Sequence, residues 1–222
     1  MREISLDTET TGFDPAQGDR IVEIGCVELI NHVPTGNVFH RYINPERDMP
    51  KGAFEVHGLS EEFLRQHKVI AEEIEAFLDF IGDSKLVIHN AQFDMKFVNA
   101  ELRLLGRDPL PMSQAIDTVT MARKKFPGAQ ASLDALCRRF SIDNSARTKH
   151  GALLDAELLA EVYLELIGGR QHGLSLGKDT ADETSDYNRT EIRPPRPHAP
   201  SEDEIAAHAA FLDTITDPIW KQ

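Results

Sequence analysis

Four acids and one histidine carry the chemistry this sequence is equipped for. Asp7 and Glu9 stand two apart, directly after the apolar residues Ile4 and Leu6. Side chains alternate along a strand, so acids at that spacing point to one side. Side by side at neutral pH they repel and raise each other's pKa, unless a cation lies between them. Oxygen donors of this kind select a hard divalent ion such as Mg2+ or Mn2+. Asp94 shares a helical face with Val98, Leu102 and Leu105, and Asp155 shares one with Leu159, Val162 and Leu166. An acid on an apolar stripe is costly unless it meets an arginine, caps a backbone or binds a metal. His150 stands five residues before Asp155, beside Gly151 in a polar loop, where a neutral imidazole could take a proton from a water. The set suits hydrolysis of a phosphodiester by two metal ions. Asp7, bridging, would hold the first ion with Glu9 and Asp155, and the second with Asp94. The first ion would lower the pKa of the attacking water, with His150 as general base, and the second would stabilise the leaving 3′ oxygen. Spacing alone leaves other phosphoryl transfers open.

Bringing these residues together is the task of the surrounding elements. A strand through Ile4 and Leu6 is followed by a second over 20–30 and a third over 36–43, with 31–36 as the hairpin turn. Residues 45–58 read as a loop. Ser60 caps a short helix from Glu61, and a longer helix follows over 69–81. A short apolar strand over 85–88 runs into His89-Asn90-Ala91-Gln92-Phe93-Asp94 and then a helix to 105. Another strand covers 115–117, and a helix follows to 126, ended by Pro127-Gly128. Ser132 caps the next helix, through 140. Residues 141–149 are polar and irregular, and 151–167 form a long amphipathic helix. Three strands first, then strands alternating with helices, predict an α/β fold with a mixed sheet flanked by helices.

A chain of 222 residues can bury one core and still carry an appendage. The formal net charge of −13 argues against a free-standing duplex binder, which would be basic, but not against a nuclease whose acid clusters are neutralised by divalent ions. No apolar run reaches membrane-spanning length, no leader pattern precedes the first strand, and Cys26 and Cys137 form no CxxC pair. These features lead to the expectation of a cytoplasmic protein with reduced thiols and no membrane partner. The texture changes at Gly168-Gly169. Residues 177–200 hold almost no apolar side chains and include Arg193-Pro194-Pro195-Arg196-Pro197, the composition of a flexible linker. Ser201 and Glu204 then form a capping box. The helix behind it carries Ile205, Ala209 and Leu212 on one stripe, with Phe211 and Ile215 beside it, and stops at Asp217-Pro218 ahead of Ile219-Trp220.

The pattern resembles a known family. Asp7-x-Glu9 with Thr10-Thr11-Gly12 behind it, His89-Asn90-Ala91-x-Phe93-Asp94, and His150-Gly151-Ala152-x-x-Asp155 are similar to the three motifs of the histidine-type DEDD exonucleases, in the right order. The resemblance implies a ribonuclease H-like five-stranded fold and 3′→5′ removal of nucleoside monophosphates with two divalent ions, Mg2+ or Mn2+. Within that branch the likeness is greatest to the proofreading subunits of bacterial replicative polymerases. Val56-His57-Gly58-Leu59, the stretch from Ser132 to Cys137, Asp143-Asn144-Ser145 and the tail residues Glu204 to His208 carry it, over 3–170 and again in the tail. It implies that His57 and the backbone from Thr8 to Gly12 contact the 3′-terminal nucleotide, in a substrate set completed by Asp7, Glu9, Thr10, Thr11, Asn90, Phe93 and Asp155. Gly52 stands where some relatives carry an acid at that nucleotide.

The same resemblance divides the chain into an exonuclease domain (1–170), a sliding-clamp-binding peptide (171–176), a linker (177–200) and a segment that docks into the polymerase alpha subunit (201–222). Gln171, Leu174 and Leu176 would enter the clamp, and Phe211, Leu212 and Trp220 would anchor the polymerase contact. A small theta-like subunit would be a further partner, and the substrate a single-stranded or frayed DNA 3′ end. Two other functions compete: a related exoribonuclease, and a structural bridge between polymerase and clamp whose nuclease activity is incidental.

Overall fold

The computed structural model describes residues 1–145, 147, 149–169 and 199–216. Strand β1 (Arg2–Thr10) is its axis. On one side it pairs antiparallel with β2 (Ile21–Ile30), which pairs antiparallel with β3 (Val33–Tyr42). On the other it pairs parallel with β4 (Lys85–Ile88), which pairs parallel with β5 (Ala115–Asp117). The order β3-β2-β1-β4-β5 is the expected mixed five-stranded sheet.

Alternation along β1 divides the core into two layers. Ile4 and Leu6 face one layer, with Ile24 and Cys26 from β2, Ile70, Ile74 and Phe77 from α3 (Ile70–Ile81), and Met95, Phe97 and Val98 from α4 (Ala91–Leu104). Glu3, Ser5, Asp7 and Glu9 alternate to the opposite side, where α7 (Ala152–Leu166) runs along the strand. Tyr163 donates to Glu3 Oε1 at 2.7 Å, and Ser5 donates to the Ala156 carbonyl at 2.7 Å. Following this ladder toward the start of α7 brings Asp155 level with Asp7. Helices α5 (Thr118–Lys125) and α6 (Leu133–Phe140) complete the α7 layer, with Leu133, Leu136 and Cys137 in its core.

One glycine makes this packing possible. Gly25 lies opposite Asp7, and a Cβ there would stand 2.3 Å from the Ala152 backbone. Helix α7 can therefore reach the sheet beside Asp7 only over a bare backbone. At the far end of β1 the register with β2 shifts between Glu9 and Thr10, an irregularity that re-aims side chains where the strand leaves the sheet.

Two expectations need correction. The hairpin turn is only Asn31-His32, both at positive φ (51° and 69°), so β3 begins at Val33 rather than Gly36. Pro34 and Gly36 disguised it, but β3 is an edge strand, where both are tolerated. The stretch read as loop contains α1 (Lys51–His57), capped at its end by Gly58 in the left-handed region (φ 77°). It escapes periodicity because Phe54 and Val56 are exposed and Pro50 gives no side-chain cap. Ser60 caps α2 (Glu61–Leu64) and Ser132 caps α6, as their types predict.

The chain divides into two compact units, Met1–Leu174 and Ser175–Gln222. In the second, α8 (Glu202–Asp213) begins with the predicted capping box of Ser201 and Glu204. None of the described helices is long and apolar enough to cross a membrane.

Candidate active site

Asp7 and Glu9 project from β1 toward α7, and the helix start brings Asp155 and His150 to them. One donor atom each from Glu9, His150 and Asp155 lies within 4.8 Å of the others, the spacing of ligands around one ion. Asp94 arrives from the other layer, in the first turn of α4. Its Oδ1 accepts from the Thr8 backbone N–H at 3.1 Å and from the Thr8 hydroxyl at 2.7 Å, and Oδ2 takes part in neither bond. The turn that delivers it is tight: Asn90 adopts the left-handed conformation (φ 69°), which asparagine tolerates better than most residues, and its N–H donates to Asp117 Oδ1 at 3.2 Å. Farther along α4, Glu101 accepts two bonds of 2.8 Å from the Arg20 guanidinium, fixing the helix to the start of β2.

The electrostatics are those of a cluster short of positive charge. Burial pushes the Asp7 carboxyl well above its ordinary range, and Asp94, Glu9 and Asp155 push it further. Glu9 is pushed up to about 8, by burial first and then by Asp155 and Glu23, its partner across β2. Burial also raises Asp94, against the opposing bonds from Thr8. Asp155 goes the other way. Burial would raise it, but hydrogen bonds from Arg147 and His150 outweigh that and hold it below the usual carboxylate range. Arg147 donates from Nε and Nη2 to the two Asp155 oxygens, each at 2.6 Å. The arginine partner weighed as one fate for an acid on an apolar stripe is therefore present at Asp155. For Asp7, Glu9 and Asp94 the raised carboxyls instead fit a divalent ion, which would favour their ionising together.

A cavity of about 370 Å³ opens beside these acids, a size suited to a small ligand. Of the residues the resemblance implies for the substrate, Thr8, Glu9, Thr10, Thr11, Gly12, His57 and Phe93 line it, and Asp7, Asn90 and Asp155 are outside its lining. Asn90 is exposed, with its backbone role in the turn already described. Its far wall is α1, whose Gly52, Ala53 and Val56 face the space, and Phe13 stands at the rim, 85% exposed. No Cβ contact crowds Gly52, so the position expected to hold an acid is open. A Cβ at Gly12 would meet the Asp19 carboxylate at 2.3 Å and displace a group that Thr11, the Asp14 N–H and Arg47 hold. His57 Nδ1 accepts from the Leu59 N–H at 3.0 Å, which places the neutral ring's proton on Nε2. That Nε2 is buried, approaches the Thr10 backbone, and has no hydrogen bond of normal geometry among the described residues. Burial keeps the ring's pKa below the usual histidine range.

Several residues of the site gave no signal in the sequence. Arg147 and Gly25 belong to none of the spacing patterns, and α1 was hidden in a presumed loop. The irregular stretch before α7 has a definite anchor. Asp134 Oδ1 accepts from Asn144 at 3.1 Å and from Arg147 Nη1 at 2.7 Å, and the His150 N–H donates to the Val56 carbonyl at 3.3 Å. Phe211 and Leu212 lie on α8 in the second unit, whereas Gln171, Leu174, Leu176 and Trp220 lie outside the described residues.

A mixed five-stranded sheet whose central strand presents paired acids to a helix-borne acid and a histidine defines a nuclease of the exonuclease class. The exonuclease (RNase T) family model matches residues 4–163. The fold is that of the nuclease domain of 3′hExo, described as a DEDDh family member bound to rAMP (TM-score 0.65, 18% identity, 75% of this chain and 91% of that one). It is also that of exonuclease X in complex with 5′ overhanging duplex DNA (TM-score 0.58, 25% identity, 75% and 90%). DNA polymerase III subunit epsilon of Rickettsia felis is 52% identical over 223 residues, 97% of each chain, and that of Escherichia coli is 44% identical over 228 residues, 96% of this chain and 93% of the relative. The chain belongs to the DNA polymerase III epsilon family of proofreading 3′→5′ exonucleases, whose chemistry depends on divalent metal.

Proposed function

We propose that Asp7, Glu9, Asp94 and Asp155 hold two Mg2+ or Mn2+ ions and that His150 is the general base for stepwise release of 5′-dNMPs from a DNA 3′ end. The observation that carries this reading is the convergence of Glu9, His150 and Asp155 donors within 4.8 Å, with Asp94 tied to Thr8, where Glu9 and Thr8 also line the cavity. When bound, the ions supply Lewis acidity for the attacking water and the leaving 3′ oxygen. Asp7, Glu9 and Asp155 would hold one ion, and Asp7 with Asp94 would hold the other. Thr8 orients Asp94 through two bonds to one oxygen and leaves the other for coordination. His150 takes the proton of the water. The walls of Thr10 to Gly12, His57 and Phe93 receive the terminal nucleotide, with His57 Nε2–H as an unspent donor toward it.

Selectivity for errors needs no reading of bases. A site for a single-stranded end favours the end that opens at least cost, and a mismatched end is already partly frayed. In the same reading, 171–176 engages the sliding clamp, 177–200 is the tether, and 201–222 docks on the alpha subunit, with a theta-like subunit as a further partner of the exonuclease domain. Two attachment points on a tether keep the nuclease at high effective concentration near the primer end.

The test is a set of labelled substrates: a DNA single strand, duplexes with matched or mismatched 3′ ends, and an RNA of the same sequence, each with Mg2+, Mn2+ or chelator. Stepwise, metal-dependent release, fastest on the single strand and the mismatch and slow on RNA, is the expected result. Equal rates on matched and mismatched ends, or release in chelator, would refute it.

A further inference from the structure

Arg147 spends its whole guanidinium on the active site. Its side chain is only 9% exposed. Nε and Nη2 grip both oxygens of Asp155 at 2.6 Å, Nη1 donates to Asp134 Oδ1 at 2.7 Å, and Nη2 also meets His150 Nδ1 at 2.7 Å. Arginine only donates, so toward Arg147 the His150 Nδ1 accepts; the same Nδ1 stands 3.2 Å from Asp155 Oδ2, toward which it can only donate, and it cannot do both at once. Both oxygens of a metal-ligand candidate and one nitrogen of the proposed base are therefore engaged by one cation belonging to the chain. Asp134, 43% exposed on α6, lies at the outer side of that cation.

We propose that Arg147 is the internal counter-ion of the metal site: it neutralises Asp155 before a divalent ion binds and gives up that carboxylate when the ion arrives, pivoting on Asp134. This rests on the reading of Asp155 as a metal ligand. An oxygen that receives a short charge-assisted bond from the guanidinium has that lone pair directed away from an ion, so the two cations compete. Releasing Arg147 also removes the donor from His150 Nδ1, so that nitrogen can carry the proton toward Asp155 and leave Nε2 to accept from the water. The competition holds Asp155 and the His150 loop in place while metal is absent, at the expense of metal affinity.

The experiment is Mn2+ titration of the full chain followed by electron paramagnetic resonance, without DNA, on wild type, R147A, R147K and D155N, with thermal unfolding of each. R147A should bind its tighter Mn2+ about tenfold more strongly, the scale of a charge-assisted pair of hydrogen bonds no longer displaced. R147K, which keeps the charge but loses the fork, should fall between, and it decides the question if R147A does not fold. Without metal, R147A should melt below wild type, and saturating Mn2+ should close the gap. A purely structural arginine would weaken Mn2+ binding when replaced. Affinity unchanged or weaker in both Arg147 variants, with binding impaired in D155N, would overturn the counter-ion alone. Wild-type Mn2+ binding in D155N would overturn Asp155 as a ligand and the counter-ion with it.

Discussion

Replacing Glu9 by glutamine should stabilise the metal-free protein at high pH. Glu9 is 9% exposed, sits opposite Glu23 and near Asp155, and is pushed up to about 8 from 4.5. With the folded value raised, the protonated form is favoured in the folded state. Its contribution to stability is complete below about 4.5 and is lost as pH rises through about 8. At about 1.4 kcal/mol per pH unit, ionising Glu9 in the folded protein costs about 5 kcal/mol by pH 9, which relaxation and water entry reduce to about 2–3 kcal/mol. Glutamine keeps the shape and removes the charge. In chelator at pH 9 the variant should therefore melt about 5–10 °C above wild type, and at pH 5 within about 2 °C of it. Mn2+ at pH 9 should raise the wild-type Tm more than the variant's, because the ion offsets a repulsion that the variant lacks. Calorimetry or circular dichroism melts at the two pH values measure this. A variant less stable at pH 9, or shifted equally at both pH values, would refute the claim that Glu9 is held against its charge.

Other substitutions probe the framework. Gly25→Ala should lower stability by about 3 kcal/mol or more and reduce exonuclease rate with it, because the new methyl meets the Ala152 backbone; urea melts and rate assays on the same preparation check this. Thr8→Val keeps the backbone bond to Asp94 but removes the hydroxyl bond, so the Asp94 carboxyl should rise further; the acid limb of kcat/KM against pH should move to higher pH, and the rate at pH 7 should fall about tenfold. Glu101→Ala leaves Arg20 without its bidentate partner and frees α4 from β2, with an expected loss of about 3–5 kcal/mol in chemical denaturation.

The sheet was legible because β1, β2 and β4 are runs rich in apolar and β-branched residues, and helices were legible at their caps: Ser60, Ser132 and Ser201 each begin the helix that their type predicts. The acids were legible because strand and helix periodicity places Asp7 with Glu9, and Asp94 and Asp155 on stripes that bury them. What was hidden depends on contacts between distant segments. Gly25 matters only because α7 crosses it, and a lone glycine in a strand does not announce a helix more than a hundred residues later. Arg147 lies in an irregular stretch with no period, and its partners Asp134 and Asp155 come from two different helices. Helix α1 turns Ala53 and Val56 to a cavity and leaves Phe54 exposed instead of burying an apolar stripe in the core, so its pattern imitates a loop.

The most direct test of the four-acid site separates binding from cutting. Asp7→Asn is compared with wild type in saturating Mn2+, with anisotropy reporting binding of a DNA single strand and a single-turnover assay reporting release of its 3′-terminal nucleotide. If Asp7 is shared by two ions, as proposed, the variant should fold and bind the strand while release slows by about 10³-fold or more. Release within about tenfold of wild type, with binding intact, would show that the hydrolysis does not run through Asp7 and would contradict the assignment of the site.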